Sequence, residues 1–228
     1  MELGGSDPFI VFQDAQMDRA VEAALAARFQ NGGQSCIAAK RIIVHNKVYG
    51  EFRDKFLAGA KALRIGDPLD PATEVGPLVS VAAADELERQ LDVTVSEGAL
   101  LLCGGRAGRE RPALFHPSVV ENVPLTSPLA CEETFGPVAP LFTFNTADEA
   151  VELANSTPFG LGATVWTADE AVALAMAHEI DTGTVAVNGF VKTEPGLPFG
   201  GVRESGYGRE LGAEGLREFM NVKTVNIF

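Results

Sequence analysis

The strongest constraint on the fold is a short internal repeat. Thr146-Ala147-Asp148-Glu149-Ala150-Val151 recurs as Thr167-Ala168-Asp169-Glu170-Ala171-Val172. Each copy places Glu three residues after Thr, the capping-box pattern of a helix start. Each follows an apolar run of strand type, Leu141 to Phe144 and Ala163 to Trp166, and a third such run spans Thr184 to Val187. Strand, helix, strand, helix, strand predicts parallel pairing through right-handed crossovers. The fold class is therefore α/β, a largely parallel sheet flanked by helices.

The rest of the chain fits that frame. Phe9 to Phe12 and Arg41 to Val44 read as short strands, and Ala99 to Leu102 reads as a strand of buried type ending at Gly104-Gly105. Val21, Ala24, Leu25 and Phe29 recur at helical spacing after Asp14 or Asp18, and Val48, Phe52, Phe56, Ala60 and Leu63 mark a second helix. Ser80 is placed to cap a third, with Ala84, Leu87, Leu91 and Val95 on one face. Residues 106–112 read as a charged surface excursion. A short helix over about Glu210 to Arg217 precedes Phe219 to Phe228, read as a terminal strand. An unpartnered strand edge is a liability, so this strand is expected to pair with another subunit or with more of its own chain. The expected division is a thiol domain over 1–202 and a C-terminal helix and oligomerisation strand over 203–228.

Composition narrows the function classes. A net charge of −13 argues against a nucleic-acid partner and against an anionic membrane. No apolar run approaches the length of a membrane span. Cys36, Cys103 and Cys131 are far apart, which predicts free thiols and a reducing cytoplasm. No Cys/His pair has zinc spacing, so no metal site is expected.

Chemistry converges on Asn31-Gly32-Gly33-Gln34-Ser35-Cys36, between the first helix and the strand that follows. Asn and two glycines permit backbone conformations that most residues avoid. Cys36 is the only cysteine on such a turn. Unpaired N–H groups at the start of a new element would favour its thiolate. The competing reading is a buried cysteine beside an ordinary helix stop. Cys103 is expected in the core. His45, His116 and His178 are the residues available for a Cys–His pair, and nothing in the sequence places any of them beside Cys36. Glu2 and Glu133 sit beside Gly- or Pro-containing turns, and solvent exposure is the plain alternative for each.

Four ordered segments resemble the aldehyde dehydrogenase superfamily. They are Glu2 to Val11 (ELGGSDPFIV), Gly33-Gln34-Ser35-Cys36, Glu132 to Val138 (EETFGPV), and Pro198-Phe199-Gly200-Gly201. The resemblance runs through the chain and matches the C-terminal half of the family's length. The Gly-Gly-Ser-Asp-Pro form of the first segment resembles bacterial succinate-semialdehyde dehydrogenases. The resemblance implies that Cys36 is the nucleophile and Glu2, thirty-four positions earlier, the general base. It implies that Glu133 binds the nicotinamide ribose and Phe135 lies against the nicotinamide of NAD or NADP. It implies that Asn188 lines the substrate tunnel, and that Gln30 stands where some relatives hold a substrate carboxylate with Arg. Ala38 replaces a second cysteine that acts as a redox switch in some relatives.

The implied reaction is oxidation of a small semialdehyde through a thiohemiacetal and a thioester on Cys36. The family's Rossmann-like dinucleotide half would precede Glu2. No G-x-G-x-x-G follows a strand here: Gly160-Leu161-Gly162 lacks the third Gly, and Gly206-Tyr207-Gly208 follows no clear strand. Glu2, beside the α-amino group, is expected to fray. The chain by itself is accordingly expected to be a poor dehydrogenase. Two other readings stay open, a cofactor-free thiol esterase and a non-catalytic oligomerisation module. Homo-oligomers through the terminal strand are expected.

Overall fold

The computed structural model describes every residue except Arg109. That residue belongs to the charged excursion at 106–112, so this part of the expectation lies outside the described residues. In chain order the elements are β1 (Asp7–Val11), α1 (Met17–Phe29), a 3-10 turn (Gln30–Gly33), β2 (Ala39–His45), α2 (Tyr49–Ala62), α3 (Val81–Ser96), β3 (Leu100–Arg106) and β4 (Phe115–Glu121). Then come α4 (Pro128–Cys131), β5 (Val138–Phe144), α5 (Ala147–Ala154), β6 (Phe159–Gly160), β7 (Gly162–Trp166), α6 (Glu170–Glu179), β8 (Thr184–Val187), β9 (Val202–Arg203) and α7 (Gly212–Arg217).

Seven strands form one sheet in the order β3-β4-β5-β2-β1-β7-β8. Every pairing is parallel except β3 with β4. β6 and β9 make a separate antiparallel pair. The repeat therefore signals parallel strands correctly, but β5 and β7 are not neighbours, because β2 and β1 lie between them.

The central strands bury both faces, and period-2 alternation sorts their side chains. Phe9, Val11, Ile42, Val44, Leu141 and Trp166 pack with α1 and α2 through Ala24, Phe29, Phe52 and Phe56. Ile10, Ile43, Phe142, Phe144 and Val165 pack on the other face with Leu87, Leu91, Ala150 and Met176 of α3, α5 and α6. Each large side chain so buried is worth roughly 1.5–3 kcal/mol, which favours these strands at the centre of the sheet.

Several expectations change. Ser80 caps α3, its Oγ accepting from Ala83 N at 3.1 Å, but Val95 is exposed. The two repeat copies start their helices differently. Thr146 accepts from Glu149 N at 3.2 Å, as a cap should. In the second copy Asp169 is the cap, accepting from Ala171 N and Val172 N. Thr167 is diverted by a tertiary partner, since its hydroxyl bonds the Asp14 carboxylate at 2.9 Å. β3 is an edge strand with half-buried and exposed positions, not a buried one, because nothing pairs beyond it. Cys103 is accordingly half-buried rather than in the core.

The terminal strand does not form: residues 221–228 carry no regular structure, and Phe219, Val222, Ile227 and Phe228 are exposed. A strand needs a neighbour for its ladder, and the single chain supplies none there. A boundary at 202/203 falls inside β9, and the chain onward to Glu210 is hydrogen-bonded to the body through Ser205, Tyr207 and the Phe199–Glu210 bridge. No described helix is long and apolar enough to cross a membrane.

Candidate active site

Parallel strands share one amino edge, and the candidate site assembles there. Asp7 of β1 pairs with Ala39 of β2, and β5 runs beside β2 in the same direction. The segments that enter these three strands are 2–6, 31–38 and 132–137. They carry Glu2, Cys36, Glu133 and Phe135 to one side of the sheet. Ligand sites of open α/β sheets usually lie at the opposite, carboxyl edge, so strand order alone points to the other end from these four residues.

Close backbone contacts lock the three segments together. Asn31, Gly32 and Gly33 all adopt positive φ, at 52°, 62° and 72°. A Cβ on Gly33 would stand 2.5 Å from the carbonyl oxygen of Gly136, so only glycine fits where these segments touch. A Cβ on Gly5 would stand 2.9 Å from the carbonyl oxygen of Cys36. The buried guanidinium of Arg28, on α1, donates to the carbonyls of Thr134 and Gly136. It therefore holds the 132–137 loop and does not face a substrate.

Cys36 is half-buried on the turn that precedes β2, at the hydrogen bond from Ala38 N to Ser35 O. Burial pushes its thiol pKa up, and the nearby Glu2 carboxylate pushes it further. Lys40 and the Ile37 N–H pull the other way and lose. The expected thiolate is thus corrected. No helix starts at Cys36 to supply free N–H groups, and a carboxylate occupies the place beside it. Among the described residues, the groups that act on the thiol are Glu2, Lys40 and the Ile37 N–H, none of them a histidine. His45 lies at the far end of β2, where its Nδ1 accepts from Lys47 N.

Glu2 is not frayed. Leu3 N donates to Ser205 O at 3.0 Å, Tyr207 N to Met1 O at 3.2 Å, and the α-ammonium group to Tyr207 O at 2.8 Å. Gly206 (φ +125°) lies directly against the Met1 carbonyl, where a Cβ would clash. The segment that follows the fourth sequence motif therefore holds the general-base candidate. One oxygen of Glu2, Oε1, is buried without a hydrogen-bond partner, an acceptor left available beside the thiol.

Glu133 Oε1 accepts from Gly5 N at 3.0 Å and from Lys40 Nζ at 3.3 Å. Lys40 Nζ also lies 5.7 Å from the centre of the Phe135 ring, which is 46% exposed. Glu133 retains some exposure, so a carboxylate and an aromatic ring are both accessible at the site's rim. A ribose hydroxyl and a nicotinamide ring are groups that such a pair can hold. Among the described residues no group of three metal-ligating side chains occurs.

Two candidates are not brought into contact with Cys36. Asn188 follows β8, whose Val187 is level with Val165 near the carboxyl edge. At about 3.3 Å per residue it is on the order of 15 Å from the amino edge. Its amide is already engaged, with Oδ1 accepting from Thr167 N and Nδ2 donating to Thr167 O. Its conformation (φ 52°) also suits a structural turn residue. Gln30 is exposed at the end of α1, and its side chain makes no hydrogen bond among the described residues.

Sequence reasoning missed Lys40 and Asp7. Both sit in strands that bury both faces, where a charge needs a reason. Asp7 accepts from Gly162 N at 3.0 Å, while its second oxygen has no partner. Burial outweighs the attraction of Lys40 and Arg41 and raises its pKa to about 6. The folded chain then holds a proton that the unfolded chain releases near the ordinary value of 3.8. Between those values the native state binds more protons, so this group's stabilising contribution is present below about pH 4 and lost as pH rises through about 6. Urea midpoints for Asp7→Asn, measured from pH 4 to pH 7, should lack this fall. The wild-type minus variant difference should decline by up to about 2–3 kcal/mol over that range.

The geometry is that of a thiol faced by a carboxylate, with a second carboxylate and a ring beside them. The same arrangement of segments runs through residues 1–225, which match the aldehyde dehydrogenase family. The chain belongs to the aldehyde dehydrogenase family. It is 50% identical over 226 residues to succinate-semialdehyde dehydrogenase (NADP(+)) 1 of Mycobacterium bovis, covering 99% of this chain and 49% of that protein. The corresponding enzyme of Mycobacterium avium is also 50% identical, over 99% of this chain and 48% of its own length. Among solved structures, an Escherichia coli NADP-dependent enzyme superposes with a TM-score of 0.94 at 38% identity, covering 97% of this chain and 46% of that one. Escherichia coli lactaldehyde dehydrogenase gives 0.95 at 32% identity, over 98% and 47%. The chain thus spans about half the length of the relatives it matches.

Proposed function

We propose that this chain is the thiol-bearing part of an NADP-dependent aldehyde dehydrogenase acting on a small semialdehyde such as succinate semialdehyde. The observation that carries the reading is the Glu2 carboxylate against the Cys36 thiol, on a turn built from family motifs. Identity of 50% to enzymes named for succinate semialdehyde and NADP(+) supports the choice of substrate and cofactor. The dinucleotide site is proposed to lie mostly outside these 228 residues, which leaves the chain by itself a weak dehydrogenase.

The steps assigned to the chain's own residues follow from their types. Cys36 reacts as its thiolate, and Glu2, whose charge opposes that ionisation, is assigned as the base for the later attack of water. Sulfur attacks the aldehyde carbon to form a thiohemiacetal, and the Cys36 backbone N–H is assigned to the oxyanion. Glu133 and Phe135 would hold the nicotinamide nucleotide, which supplies the hydride acceptor. Loss of hydride from the thiohemiacetal carbon would leave a thioester. Glu2 takes a proton from the water that attacks it, the C–S bond breaks, and the sulfur departs as the Cys36 thiolate. The carboxylic acid leaves, and Glu2 returns its proton to solvent. The exposed apolar residues of 219–228 are proposed to pair with another subunit. A cytoplasmic location is proposed from the free thiols.

Substrate protection tests the reading. Purified chain is alkylated with dilute iodoacetamide, with and without succinate semialdehyde, and each cysteine peptide is quantified by mass spectrometry. Succinate semialdehyde is expected to slow labelling of Cys36 and to leave Cys103 and Cys131 unchanged. Equal labelling of Cys36 with and without the aldehyde would sink the assignment of the nucleophile. Equal protection by butyraldehyde would remove the semialdehyde specificity alone.

A further inference from the structure

The least explained residue near the thiol is Lys40. Its side chain is fully buried, in a strand whose other large side chains are apolar or committed to structure. It sits at an irregularity: Asp7 pairs with Ala39 but Pro8 pairs with Arg41, so Lys40 is the extra residue of a bulge. Bulges re-aim one side chain and are common beside active sites. This one sends the ammonium group back toward the turn that precedes β2. There Nζ donates to the carbonyls of Ser35 and Cys36, each at 2.6 Å, and to Glu133 Oε1 at 3.3 Å. Those three bonds use all the donors of an ammonium group.

We propose that Lys40 is a positioning residue of this site, tying the Cys36 turn and the Glu133 carboxylate to one buried cation so that thiol and cofactor-side carboxylate move as a unit. The inference rests on the reading of Cys36 as nucleophile and Glu133 as cofactor ligand. Three features support it. The two carbonyls belong to the nucleophile itself and its neighbour, so the lysine fixes the peptide that carries the sulfur. The third partner comes from a loop about a hundred residues away, which no local turn could hold in register. Finally, a buried cation within reach of the thiol opposes the proton-retaining effect of Glu2.

The charges around these groups set the direction of each effect. The thiol is faced by Glu2, Lys40 and the Ile37 N–H. Lys40 is faced by Asp7, Glu133 and Arg28; burial lowers its pKa, and the two carboxylates oppose that. Removing the cation therefore moves the thiol pKa up. Removing the Glu133 charge leaves the cation less compensated and moves the thiol pKa down.

The test is the rate of Cys36 alkylation by iodoacetamide on the 228-residue chain, read at the Cys36 peptide from about pH 6 to about pH 10. Lys40→Met is expected to shift the profile upward by about half to one unit, a threefold to tenfold slower reaction on its acid side. Glu133→Gln is expected to shift it in the opposite direction by a smaller amount. In the double variant the Glu133→Gln shift should shrink, because the cation through which most of it is carried is gone; an undiminished shift overturns the coupling. Thermal midpoints are recorded alongside, since a merely structural lysine would lower them without moving the profile. Should Lys40→Met fail to fold, Glu133→Gln alone still decides, for an unmoved profile in that variant overturns the proposal. Unmoved profiles in both variants likewise overturn it. Wild-type Cys36 that resists alkylation throughout overturns the nucleophile assignment first, and the proposal with it.

Discussion

Cys36→Ala is expected to keep the fold and to lose every turnover that passes through an acyl-enzyme. The measurement is p-nitrophenyl acetate hydrolysis by the purified chain, with intact-mass analysis for the acetylated form. In the wild type one acetyl group should appear per chain and then be released. The Cys36 thiol lies beside Glu2, the base assigned to the deacylating water. Cys103 donates to Pro117 O at 3.6 Å from an edge strand, and Cys131 to Leu125 O at 3.0 Å on the surface. Loss of the nucleophile removes the pathway rather than slowing one step, so turnover should fall to the uncatalysed rate. Because Cys36 is only half-buried, the stability change should be about 1 kcal/mol or less. Undiminished turnover in the variant, with acetyl found elsewhere, would refute the role of Cys36.

Glu2→Gln should separate the two halves of the same cycle. Deacylation needs a base for water, and loss of such a base typically slows a step by about 10²–10⁴-fold. The acetylated chain should therefore accumulate and persist. Acylation should move in the other direction. The Glu2 charge raises the thiol pKa, so a neutral amide lets Cys36 ionise at lower pH and react faster with electrophiles near neutrality. A slower burst together with slower turnover would be the signature of a distorted site instead. Gly206→Ala offers an independent arm. Its Cβ would meet the Met1 carbonyl and displace Glu2 without changing its chemistry. It should reproduce the persistent acyl form.

The reading of the sequence as α/β rested on local signals that survive in the structure. Strand runs such as Phe9 to Val11 and Ile42 to Val44 are apolar at consecutive positions, which only a sheet covered on both faces tolerates. Asn31-Gly32-Gly33 demanded left-handed backbone, and all three residues adopt it. These are properties of a residue and its near neighbours, so they are legible in one dimension. The motifs likewise led to the family to which the chain belongs, and the residues they single out, Cys36, Glu2, Glu133 and Phe135, lie in segments that enter neighbouring strands.

What the sequence left undetermined depends on partners far along the chain. Glu2 looked like a fraying terminus because its anchors, Ser205 and Tyr207, lie some two hundred positions away. Asn188 looked like a site residue, yet parallel strand direction carries it to the opposite edge of the sheet. The proton affinity of Cys36 reversed its expected sign because burial and a facing carboxylate outweigh a turn's N–H group. Lys40 carried no motif at all; a register shift against β1 and three distant acceptors give it meaning. Backbone preference and apolar period are short-range and therefore written in order along the chain. Desolvation and charge pairing depend on distances through space, and only the folded packing sets those.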